Sequence, residues 1–85
     1  MTLYQFNAAD EAEQIEALWD KGVHIGDRQD EEHIIVLYQI DSFYVEVYYN
    51  QEYNVIRRFR SFSDTDQLEP YAIQIEIVNF LNGKS

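Results

Sequence analysis

"HIIVLYQIDSFYVEVYYN" (residues 33–50) decides the fold. Its first eight residues are rich in β-branched side chains and hold no breaker. "DS" (41–42) follows, and both residue types favour turns because their side chains bond nearby backbone. Residues 43–50 then alternate as a second strand. A two-residue loop pairs Ile40 with Phe43, Tyr38 with Val45, Val36 with Val47 and Ile34 with Tyr49. All eight are apolar or aromatic, so this face is the predicted core. A slip of one residue would expose the whole set, which fixes the register.

Outward from the hairpin, "YNVIRRFRSF" (53–62) reads as a third long strand. A three-residue loop at 50–52 sends Val55 and Phe59 to the core and turns Arg57 inward near the sheet edge. "GVHIG" (22–26) is a candidate short fourth strand, followed by a polar loop at 27–32. Asn7 is a favoured N-cap, with Asp10, Glu11 and Glu13 at the positive end of the helix dipole. Ala8, Ala12, Ile15 and Trp19 form one apolar stripe joined by Leu18, and Gly22 suits the stop. These features predict a helix over 8–21. The last element alternates like a strand at Ile73, Ile75 and Ile77. Its ends favour a helix over 66–82: Asp66 and Glu69 have capping-box spacing, Pro70 falls in the first turn, and Asn82 and Gly83 follow. The expected fold is a single α+β domain spanning residues 1–85. Three antiparallel strands form a meander, with an optional fourth and both helices packed on one face.

Composition narrows the function. The chain has 85 residues, a net charge of −10 and no cysteine, so neither a disulfide nor a thiolate metal site supports its small core. Residues 1–33 carry nine acids and two bases, residues 34–62 three of each, and residues 63–85 four acids and one base. Such a surface repels nucleic acid and anionic membrane. The arginines at 57, 58 and 60 around Phe59 make too small a basic footprint for nucleic acid. No apolar run approaches a membrane span, and the first residues hold no signal core. The expected setting is the cytoplasm.

No nucleophile motif, phosphate loop or cofactor fingerprint is present. The expectation is therefore a non-enzymatic protein with no cofactor. His24, Asp27, Asp30, Glu31, Glu32 and His33 share one region, but their spacing fits no zinc or calcium pattern, and no metal is expected. The sheet's second face is unusual. It carries Ile35, Leu37, Tyr44, Glu46, Tyr48, Arg58 and Arg60, where a solvated face would be mostly polar. Tyr and Arg are enriched at interfaces, so this face is the first candidate surface, for a protein partner or a second copy in a homodimer. A cross-strand Arg58 is the expected partner of Glu46. The alternative surface is the acidic first helix, with Glu13, Glu16 and Asp20 meeting a basic protein. Immunity-type and nucleic-acid-mimic proteins resemble this chain in size and charge alone, with no shared motif.

Overall fold

The computed structural model describes residues 1–75. It is an α+β fold with two helices, α1 (Leu3–Ala8) and α2 (Glu11–Lys21), ahead of four strands. The strands are β1 (Val23–Gln29), β2 (His33–Ile40), β3 (Phe43–Asn50) and β4 (Ile56–Phe62), followed by a 3-10 segment, Thr65–Tyr71. All four strands lie antiparallel in one open sheet, in sequence order. No helix among the described residues is long and apolar enough to cross a membrane.

The central hairpin has the predicted register, with Ile40 opposite Phe43 and Ile34 opposite Tyr49. Asp41 takes the left-handed conformation at φ 51°, which a short polar side chain tolerates. The second turn differs from the prediction. It spans residues 51–55, and β4 starts only at Ile56. Asn50 builds it: its Oδ1 accepts from the Glu52 and Tyr53 amides, both at 2.8 Å, and Asn54 sits at φ 59°. A bulge then shifts the β3–β4 register, with Tyr49 opposite Ile56 and Tyr48 opposite Arg58. Ile56, not Val55, therefore packs with Phe59 on the core, while Val55 and Arg57 are exposed.

The predicted helix over 8–21 starts only at Glu11, and a separate six-residue helix, Leu3–Ala8, precedes it. Asp10, not Asn7, caps α2: its carboxylate accepts from the Glu13 amide at 2.9 Å, and Glu13 Oε1 accepts from the Asp10 amide at 3.0 Å. Thr2 and Gln5 make the same reciprocal box ahead of α1. Each box satisfies amides that a helix start leaves unpaired, and Ala9 is extended between them. The buried stripe of α2 is centred on Ala17 and Leu18. Ala12 and Trp19 of the predicted stripe are exposed. The short strand predicted at 22–26 runs on to Gln29, with a bulge between His24 and Gly26.

The largest correction concerns the layers. The predicted fold puts both terminal elements on one face, but they take opposite faces. Phe6, Ala17 and Leu18 pack with Ile40, Phe43, Val45 and Val47. Tyr71, Leu68 and Ile75 pack instead with Leu37, Phe62, Ile25 and Tyr44. Strand alternation puts these two sets on opposite sides of the sheet. Residues 65–75 thus form a strap across the second face: the 3-10 segment followed by helical residues 72–75. The rest of the helix predicted over 66–82, including Ile77, Asn82 and Gly83, lies outside the described residues.

Candidate functional site

The strap changes the status of the first candidate surface. Ile35 and Leu37 are fully buried, Glu46 is 1% exposed and Tyr48 5%. Tyr44 and Arg60 are half-buried, and only Arg58 is exposed. The face expected to be open is closed by the chain itself.

At its centre lies a polar cluster around Glu46. Alternation points this side chain to the strap side of β3, among apolar neighbours, where an unpaired carboxylate would be costly. Two cations reach it from opposite edges of the sheet. Arg28 of β1 donates to Oε2 from Nη2 at 3.1 Å and from Nε at 3.3 Å. Arg60 of β4, directly opposite Glu46 in the ladder, donates to Oε1 at 2.8 Å. The Tyr48 hydroxyl donates to Oε1 at 3.1 Å, and the Tyr71 hydroxyl of the strap to Oε2 at 2.5 Å. Arg60 also bonds Gln67 of the strap. The expected Arg58–Glu46 pair is absent. Arg58 faces Tyr48 in the bulged register, and its guanidinium lies 3.8 Å from the ring centroid, a cation–π contact.

Burial alone would push the Glu46 carboxyl up. Bonds from Tyr71, Arg60 and Arg28, with the charge of Arg28, outweigh it and hold the carboxyl below its ordinary 4.5. Burial and the bond to Glu46 raise the Tyr71 phenol above its ordinary 10.0. Signs follow by linkage. The Glu46 contribution is complete above the ordinary carboxylate value and lost as pH falls through its depressed folded value. The Tyr71 contribution is complete below pH 10.0 and lost as pH rises through its raised value. The expected result is that wild type exceeds Glu46→Gln in stability at neutral pH, and that the gap closes as pH drops well below 4.5. Urea unfolding of both proteins across that range checks it. A gap that persists at the acid end would contradict the assignment.

Both oxygens of Glu46 are occupied by protein donors, and no buried side-chain polar atom among the described residues lacks a partner. This suits fastening, since no lone pair is left aimed at a bound molecule. Arg28, Gln67 and Tyr71 were missed as parts of the site. The signal was Glu46 itself: a carboxylate midway along an apolar strand requires cations nearby.

A second fastening lies at the β1 edge. The Asp27 amide donates to Gln74 Oε1 at 2.8 Å, and Gln74 Nε2 donates to the Asp27 carbonyl at 2.6 Å. One side-chain amide thus satisfies both backbone groups of Asp27, as a neighbouring strand would. Gly26 permits the approach. A Cβ there would lie 2.4 Å from Gln74 Oε1 and 3.2 Å from the Tyr71 ring.

The alternative surface is open. Glu13, Glu16 and Asp20 lie along one ridge of α2 and are all exposed. With Met1, Gln5, Ala8, Ala9, Ala17 and Lys21 they line an open groove of about 650 Å3. Lys21 approaches Asp20 at 4.0 Å, the one cation within ion-pair distance of the ridge among the described residues. The histidines stand apart: His24 lies 3.7 Å from Asp27, and His33 3.3 Å from Asp30. Asp30 is engaged in its turn, accepting from the Glu32 and His33 amides. No group of three metal-ligating side chains occurs among the described residues. No protein-family model, curated protein or solved structure matches this chain.

Proposed function

We propose that the protein is a non-enzymatic binding module that presents the acidic ridge of α2 to a basic segment of another protein. One observation carries this reading. Three of the chain's six Lys and Arg side chains are engaged on its own second face, and Lys21 alone among the described residues comes within ion-pair distance of the ridge. Arg28 and Arg60 neutralise Glu46, and Arg58 lies on Tyr48. The outward field is therefore dominated by acids, and such a field steers an oppositely charged partner. The groove adds an alanine-bearing floor between carboxylates, suited to the aliphatic stems of Lys and Arg.

The experiment titrates a lysine- and arginine-rich peptide against wild type and the triple variant Glu13→Gln/Glu16→Gln/Asp20→Asn. Each rim charge contributes about 0.5 kcal/mol, mid-range for exposed pairs. The triple variant should therefore bind roughly tenfold more weakly. Glu31→Gln/Glu32→Gln/Glu52→Gln removes equal charge elsewhere and should change affinity less than about threefold. Equal losses in both variants would reduce the interaction to net charge and reject the ridge.

A further inference from the structure

We infer that residues 65–75 form a strap that opens as a unit while the sheet stays folded, with the Glu46 cluster as its clasp. Three observations carry it. First, the strap is joined to the sheet through side chains. Among the described residues, no backbone–backbone hydrogen bond links the two. Among the described residues its ties are Tyr71 to Glu46, Arg28 Nε to the Tyr71 hydroxyl at 3.1 Å, Gln67 to Arg60 and Gln74 to Asp27, with Leu68, Tyr71 and Ile75 packed beneath. The strands, by contrast, are laced by backbone ladders, unbroken between β2 and β3 and interrupted by one bulge in each outer pair. Second, the strap has little helix stability of its own. Its first seven residues are 3-10, a form with poor bond geometry, and include Pro70, which lacks a donor. Third, opening strands no charge. When Tyr71 leaves, Glu46 keeps Arg28, Arg60 and Tyr48. The usual penalty for breaking a buried ionic cluster, an orphaned charge, does not arise. Local opening of this kind is expected where ties are few and tertiary packing is thin. Opening bares Leu37, Tyr44 and Phe62, so the strap acts as an intramolecular cover on the tyrosine-bearing face.

The Asp27 amide is a built-in reporter, because its partner is the Gln74 side chain. Native-state hydrogen exchange on the full chain is the test. In wild type, Asp27 should exchange at least about tenfold faster than the slowest amides of β2 and β3, with weaker dependence on denaturant. Tyr71→Phe removes the hydroxyl's bonds to Glu46 and Arg28 and should speed Asp27 about tenfold or more. Ile40→Val thins the core on the opposite face, where Ile40 is fully buried. It should speed the β2 and β3 amides about fivefold and leave Asp27 unchanged. That last contrast separates the two openings: a residue intact in the strap-open state cannot alter the strap equilibrium. Acceleration of Asp27 by Ile40→Val in step with the strands would mean that the strap opens only with global unfolding. Indifference of Asp27 to Tyr71→Phe would mean that Gln74 swings alone. Either result overturns the inference.

Discussion

Glu46→Ala is expected to cost about 3–5 kcal/mol, the range for removing one partner from a buried ionic cluster. The reason is what stays behind. Arg28 and Arg60 converge on Glu46 from opposite edges, at 3.1 and 2.8 Å. Without the carboxylate, two partly exposed guanidinium groups lose their shared counter-charge at a buried centre, and two tyrosine hydroxyls lose their acceptor. Total stability at this size is on the order of 4–13 kcal/mol, so the variant loses a large share of it. Its Tm should fall by well over about 10 °C. A companion variant shows whether the loss is electrostatic. Adding Arg28→Met and Arg60→Met to Glu46→Met replaces the cluster with apolar side chains and should recover most of the stability, because the desolvation cost leaves with the charges. Urea unfolding followed by circular dichroism measures both. If the triple Met variant is as unstable as Glu46→Ala, the loss belongs to shape, and the clasp is not ionic.

The β2–β3 hairpin was legible because one face was apolar without interruption and "DS" left one register. What alternation does not say is which face is covered. Ile35, Leu37 and Tyr48 are as apolar as the residues behind them, yet Glu46, Arg58 and Arg60 among them read as an exposed binding surface. The structure resolves that surface into a sealed layer, since a carboxylate met by two arginines and two tyrosines is compatible with burial. The partners were out of reach of local reading. Tyr71 lies 25 residues from Glu46 and Arg28 lies 18. Arg28 also sat in a stretch read as a polar loop, and it faces Glu46 only because the bulge near Ile25 re-aims the strand. The start of the first predicted helix is different, because its signals were local. Thr2 with Gln5 and Asp10 with Glu13 both have capping-box spacing. Reading Asn7 as the cap from its propensity alone leaves both boxes unused.

Phe6→Ala should destabilise the chain by about 3–5 kcal/mol, the cost of deleting a buried phenyl ring, and should detach α1 as well. This helix has six residues, far below the length at which an isolated helix persists in water. Its place depends on the Phe6 ring, which is fully buried. The ring lies 5.7 Å from the Phe43 ring in a tilted arrangement and 6.2 Å from Phe59, edge-on. Such geometries add to simple burial because ring edges meet ring faces. Around this anchor Leu3 packs partly buried against the same core, and the remaining ties are polar: Gln14 Nε2 donates to the Phe6 carbonyl at 2.9 Å, Ser61 Oγ donates to Asn7 Oδ1 at 2.5 Å, and the N-terminal ammonium meets Asp41 at 2.7 Å. Polar ties at or near the surface contribute little, and Leu3 is only partly buried, so the fully buried Phe6 ring is the main anchor of α1. The groove lined by Gln5, Ala8, Glu13 and Glu16 has α1 as one wall, so Phe6→Ala should also weaken binding of the basic peptide, with every ridge carboxylate still present. Tyr4→Ala, at a position 82% exposed on the same helix, is the control and should stay within about 0.5 kcal/mol of wild type. Denaturant unfolding and the same peptide titration read both effects. A Phe6→Ala protein that loses less than about 1 kcal/mol would show that α1 is not docked through this ring. One that loses stability but binds unchanged would show that α2 alone makes the surface.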